Sequence, residues 1–82
     1  MKYLYIELRI IDGNREYTQR SLHSTTAKNI LFAAERFAAT YWGYGEREGE
    51  GWLFDGGEVY VEYTKVKELT KEEYENLNRL FY

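Results

Sequence analysis

Residues 2–11 read as an alternating run, with Leu4, Ile6, Leu8 and Ile10 on one side and Tyr3, Tyr5, Glu7 and Arg9 on the other. A period of two marks a β-strand with one buried face, so the rest of the chain must supply a cover for four aliphatic side chains. With 82 residues there is room for one core and one domain, spanning 1–82. A chain of this size buries only roughly 60–65% of its unfolded surface, which leaves a thin stability margin. No Cys is present and His23 is the only histidine, so neither disulfides nor a zinc cluster can supplement the core.

Asp12-Gly13-Asn14 follows the alternating run and tolerates positive φ, and Arg15 to Leu22 resumes an extended, mostly polar pattern. A β-hairpin is expected, turning on either Asp12-Gly13 or Gly13-Asn14. Either register puts Tyr17, Gln19 and Ser21 on the aliphatic side, and so polar a second strand belongs at a sheet edge. Ser24, Thr25 or Thr26 can then cap a helix running to Trp42, with Gly43 as its stop. Ala27, Ile30, Leu31, Ala34, Phe37, Ala38 and Tyr41 share one face of it, while Phe32, Arg36 and Trp42 fall outside. That helix is the expected cover.

Gly43 to Gly51 reads as a glycine-spaced acidic connection with nothing to bury, mobile when unbound. Trp52–Asp55 and Glu58–Val66 flank Gly56-Gly57, which predicts a second hairpin. Its register sets Trp52 and Phe54 with Val61 and Val59 on one side and Leu53 with Tyr60 on the other. Thr70-Lys71-Glu72-Glu73 forms a capping box, and Leu69 with Tyr74 a hydrophobic staple. The short helix they start buries Tyr74, Leu77 and Phe81, with Leu80 nearby. The expected order is ββαββα: an α+β domain with a four-stranded, mainly antiparallel sheet from two hairpins and one long helix packed on it. The C-terminal helix either closes the end or covers the opposite face, and these two placements stand equal.

No constellation for catalysis converges in the sequence. His23 has no nucleophile or metal-ligand companion and reads as a cap or strand-end residue. Gly43, Gly45 and Gly49 lack dinucleotide spacing, follow a helix instead of preceding one, and sit among glutamates that repel phosphate. Glu46, Glu48 and Glu50 lack the Asp/Asn and Gly pattern of a calcium loop, and Glu72 and Glu73 are occupied at a helix start. The expectation is no enzyme, no cofactor and no metal. MKYLYIELRI lacks the continuous apolar stretch of a signal peptide, and no apolar run is long enough to span a membrane, so a cytoplasmic setting and no membrane partner are expected.

Binding fits the residues better. Nine Tyr, four Phe and two Trp exceed what a core of this size needs, and tyrosine tolerates exposure through its polar tip. Residues 1–45 hold six basic and four acidic side chains, whereas 46–82 hold five basic and ten acidic ones, so the chain is acidic in its second half. Clustered carboxylates can occupy the basic groove of a nucleic-acid-binding protein in place of phosphates. The opposing reading is a small regulatory or nucleic-acid-binding module in which Tyr3, Tyr5, Arg9 and Arg20 form a stacking platform. A net charge of −3 argues against direct nucleic-acid binding.

The segment GGEVYVEYTKVKELTKEEYENLNRLFY resembles the tails of small acidic proteins encoded by phages and mobile elements, in which a valine-and-glutamate strand leads into a T-x-E-E-Y helix. Some similar proteins are anti-CRISPR inhibitors, short, cysteine-poor chains that block a nuclease or surveillance complex without chemistry of their own. The resemblance implies a partner class and carries over no functional residue. It implies a non-enzymatic inhibitor of a host nucleic-acid-processing protein, such as a CRISPR effector complex or nuclease; a monomer or homodimer is expected. The candidate contacts read from the residues themselves are Tyr44, Glu46, Glu48, Glu50, Glu58, Tyr60 and Glu62.

Overall fold

The computed structural model describes residues 1–81, with side chains through residue 80. The elements are β1 (Lys2–Asp12), β2 (Arg15–Thr25), α1 (Ile30–Ala39), β3 (Glu46–Glu48), β4 (Gly51–Phe54), β5 (Val59–Leu69) and α2 (Lys71–Phe81). A 3-10 turn, Asp55–Gly57, leads from β4 toward β5. The strands form one antiparallel sheet in the order β2-β1-β5-β4-β3. The class is α+β as expected, with five strands instead of four, because the segment expected to be a mobile loop supplies β3.

The alternating segment is the central strand. β1 pairs with β2 on one edge and β5 on the other, and Leu4, Ile6, Leu8 and Ile10 are each fully buried. Complete burial of such side chains stabilises by about 1.5–3 kcal/mol apiece, so this strand is the largest single source of core energy. The first hairpin turns on Gly13-Asn14, with Asp12 opposite Arg15 and Gly13 at φ +60°. Tyr17, Gln19 and Ser21 stand opposite Ile10, Leu8 and Ile6, and β2 is an edge strand, as the sequence predicts.

The covering helix is shorter than expected at both ends. β2 runs on through Thr25 because the ladder continues to Lys2, so Ser24 and Thr25 belong to the strand instead of a cap. Asn29 caps α1, its Oδ1 accepting from the Leu31 amide at 2.9 Å and the Phe32 amide at 3.4 Å. At the other end Thr40 donates to the Arg36 carbonyl through both its hydroxyl (2.7 Å) and its amide (3.1 Å), and the helix stops there instead of reaching Trp42. Ala33, Ala34 and Ala38 form the buried contact, and such small side chains let the helix lie close against β5, β4 and β1. Leu31, expected inside, is 52% exposed; Ala33 takes the buried place.

β4 and β5 pair as predicted, Trp52 with Val61, Leu53 with Tyr60 and Phe54 with Val59, but their link is Asp55–Glu58 and not Gly56-Gly57 alone. β5 also continues past Val66 to Leu69. Its register on β1 slips once: Leu8 faces Tyr63 while Glu7 faces Lys65, which leaves Thr64 as the extra residue of a β-bulge. The Thr64 hydroxyl donates to the Glu7 carbonyl at 3.3 Å. An extra residue inverts the strand's parity. Tyr63 and Val66 both pack against the core, and Lys65, Lys67 and Leu69 move to the opposite face.

α2 starts at the predicted capping box: the Thr70 amide donates to Glu73 Oε1 at 2.9 Å and the Glu73 amide to Thr70 Oγ1 at 3.1 Å. The helix lies on the face away from α1 and covers only one end of it. There Tyr3 and Tyr74 stack with centroids 4.7 Å apart, and Leu69 is buried. The side chain of Phe81, expected in the same stripe, lies outside the described residues. No helix among the described residues is long and apolar enough to cross a membrane.

His23 stands opposite Leu4 with its ring 5.0 Å from that of Phe37. Burial pushes its imidazole below the ordinary value of 6.5. The unfolded chain therefore holds that proton more tightly than the folded one. The contribution to stability is complete above the unfolded value and is lost as pH falls through the folded one. Thermal melts followed by circular dichroism from about pH 8 to about pH 5 should show a falling midpoint that His23→Gln flattens; an equal pH dependence in the variant would contradict this assignment.

Candidate interaction surface

The acidic segment folds because two of its glycines leave room for rings. A Cβ at Gly45 would lie 2.8 Å from the Phe54 ring and 2.9 Å from Trp52 Cβ, and one at Gly51 would lie 2.5 Å from the Tyr60 ring. Both glycines serve close packing and not chain mobility, which corrects the expectation that this stretch has nothing to bury. Gly45 also donates its amide to the Ala39 carbonyl at 2.9 Å, tying the segment to the end of α1. Between them β3 pairs with β4, Glu46 opposite Leu53 and Glu48 opposite Gly51, around a two-residue turn with Gly49 at φ +60°. Arg47 points to the other side, its guanidinium 4.7 Å over the Trp52 ring and its Nε donating to the Gly49 carbonyl at 2.8 Å.

The seven candidate contact residues fall into four places. Tyr44 is 93% exposed and shares a cleft of about 330 Å³ with Glu46, Leu53 and Asp55. Glu48 and Glu50 occupy the edge and turn of the β3–β4 hairpin, both exposed. Tyr60 and Glu62 lie further in, on the open face of β5, where the Tyr60 hydroxyl donates to Glu62 at 3.0 Å. Burial, then the bond to Glu62 and the charges of Glu62 and Glu50, hold the Tyr60 phenol above its ordinary range. Glu58 stands apart at the β4–β5 link, where its carbonyl accepts from the Gly13 amide at 3.2 Å.

Ion pairing separates these carboxylates by availability. Arg9 Nε lies 2.7 Å from Glu62, out of line for a hydrogen bond but close enough to neutralise it, and Arg9 Nη1 reaches Glu16 at 3.1 Å. Glu62 is therefore an internal partner at the centre of the open face. Among the described residues Glu46, Glu48 and Glu50 have no basic side chain within ion-pair distance. Three such carboxylates sit together on one sheet edge and its turn, with Tyr44 beside Glu46.

The cleft beside His23 is lined by Thr25, Ala27, Ala33, Arg36, Phe37 and Thr40, with no carboxylate to orient the imidazole. Among the described residues no three His, Cys, Asp or Glu side chains group as metal ligands. Sequence reasoning missed Asp55 in the Tyr44 cleft and the grouping of Arg20, Lys65 and Lys67 on the open face. The alternation in Lys65-Val66-Lys67 was the available signal, but its facing depends on the bulge. No protein-family model, curated protein or solved structure matches this chain.

Since Trp52 Cβ is backbone-tethered and cannot swing away, Gly45→Ala should cost about 1–3 kcal/mol of stability by overpacking. Urea denaturation monitored by tryptophan fluorescence tests this, and an unchanged midpoint would mean that the segment does not pack as described.

Proposed function

We propose that this chain is a non-enzymatic binding protein that docks its β3–β4 edge onto a basic surface of a nucleic-acid-processing host protein and occludes it. The exposed Tyr44 ring beside Glu46, on a hairpin whose Glu46, Glu48 and Glu50 are all, among the described residues, outside ion-pair distance of a base, is the observation that carries this reading. A rigid aromatic anchor gives large contact area at small entropic cost, and the carboxylates around it steer encounter with a basic partner. Tyr44, Glu46, Glu48 and Glu50 are the contacts of this proposal, with Glu58 and Tyr60 at its margin and Glu62 supporting Tyr60 from below. The short, cysteine-free, acidic chain and its valine-and-glutamate tail are features of the anti-CRISPR type. A CRISPR effector complex or nuclease in the cytoplasm of a bacterial host is accordingly the proposed partner class.

The test is capture from a lysate containing a CRISPR effector, together with an assay of target cleavage by that effector. The wild-type chain should retain the effector, release it as salt rises, and suppress cleavage. Reversing Glu46, Glu48 and Glu50 together to Lys should weaken capture by about tenfold or more while leaving the circular dichroism unchanged. Full capture by the triple variant would exclude this edge as the contact, and unimpeded cleavage in the presence of the wild-type chain would remove the inhibitor reading.

A further inference from the structure

A second surface lies on the same open face, toward the opposite edge of the sheet. Where α2 crosses the face, it leaves a groove of about 340 Å³ beside the sheet, lined by Tyr5, Leu69 and Leu77 together with Arg20, Lys65 and Lys67. The cations come from two strands that do not touch each other. Arg20 on β2 and Lys65 on β5 both stand opposite Glu7 of β1, and Lys67 stands opposite Tyr5 in the next row. The bulge at Thr64 puts both lysines on this face.

The two carboxylates nearest the groove are hydrogen-bonded to neutral donors and keep their charge, and the Lys67 ammonium helps to hold Glu73 ionised. Glu7 accepts from the Tyr5 hydroxyl at 2.7 Å, and Glu73, which also lines the groove, accepts from the Thr70 amide at 2.9 Å. Among the described residues none of Arg20, Lys65 or Lys67 lies within ion-pair distance of an acid. Three cations outside ion-pair distance of any described acid, outnumbering the one carboxylate in the lining, surround a floor of one aromatic ring and two leucines. An inorganic anion would use the cations and waste the floor. An apolar ligand would leave three charges facing it.

We infer that this groove binds a phosphate ester carrying a flat ring: a nucleotide, its base on Tyr5, Leu69 and Leu77 and its phosphate on Arg20, Lys65 and Lys67. The volume suits one nucleotide, and the chemistry is the pairing of an aromatic platform with backbone-neutralising cations by which proteins hold single strands. The net charge of −3 conceals this site because the acids that outnumber the bases lie mostly elsewhere. The inference is independent of the acidic edge: its residues are distinct from those of the β3–β4 hairpin.

The probes are adenosine monophosphate, a fluorescein-labelled hexathymidylate and a labelled glutamate-rich hexapeptide. Fluorescence anisotropy follows the labelled probes, and competition against the labelled hexathymidylate reads the mononucleotide. The hexanucleotide should bind with a log-affinity slope against log salt of about −2, the value for three phosphates of a single strand. Lys65→Glu with Lys67→Glu should lower the affinity at least about tenfold with an unchanged melting temperature, while the Glu46, Glu48 and Glu50 reversal should not lower it. Competition by the mononucleotide at a similar concentration identifies a free nucleotide as the occupant. Much stronger binding of the hexamer identifies a strand. Both support the inference. It is overturned if neither nucleotide binds, if the lysine variant binds as wild type does, or if the glutamate peptide binds as tightly as the hexanucleotide.

Discussion

Everything in this fold depends on the parity of the central strand. β1 gives four aliphatic side chains to one face and Tyr3, Tyr5, Glu7 and Arg9 to the other, and it is paired on both edges, so neither face can be exchanged without losing two ladders at once. β5 must match that parity over eleven residues, yet its sequence does so only if one residue is skipped. Running straight past Tyr63 would turn Lys65 and Lys67 toward the core and Val66 away from it. The bulge at Thr64 resolves the conflict, and burial of Val66 with exposure of two ammonium groups far outweighs the one ladder position lost.

The same constraint distributes function over the surface. With α1 committed to the aliphatic face by its alanines, the aromatic face receives only α2, which follows β5 directly and reaches only the end carrying Tyr3 and Leu69. What remains open is graded in charge. Acids without partners lie on β3, a neutralised Tyr60–Glu62–Arg9–Glu16 chain crosses the middle, and cations gather beside α2. A Tyr-x-Glu pair with the phenol donating two residues along occurs on β1 at Tyr5 and on β5 at Tyr60. The short, wholly exposed Glu-Arg-Glu edge also discourages uncontrolled strand pairing, so its charge has structural value whatever it contacts.

Much of this was legible in the chain itself. Local grammar set the elements whose determinants are adjacent: the alternation of β1, a first hairpin whose turn was open between Asp12-Gly13 and Gly13-Asn14, the Trp52–Val61 register and the Thr70–Glu73 capping box. The errors occur where a distant partner decides. Ser24 and Thr25 are good helix caps, but Lys2 and Tyr3 needed strand partners and tertiary pairing prevailed over propensity. Gly45 and Gly51 read as linker glycines because the rings they accommodate, Phe54 and Tyr60, approach only after the sheet forms. Glu62 read as a free contact because its neutralising Arg9 is far away in sequence and next to it across the ladder. The basic groove was invisible for the same reason, since its cations meet only once the bulge has set their side.

The register beyond the bulge is therefore the claim to test most directly, and a chain without cysteine allows it to be done by cross-linking. Tyr5 and Lys67 are direct cross-strand partners, within the span a disulfide can bridge, whereas Val66 belongs to the neighbouring row on the opposite face. Mild oxidation of the variant with Tyr5→Cys and Lys67→Cys should give an intrachain disulfide, seen as faster migration on a non-reducing gel, and the variant with Tyr5→Cys and Val66→Cys should not. Bridging in the second variant and not in the first would place the lysines in the core and contradict the account.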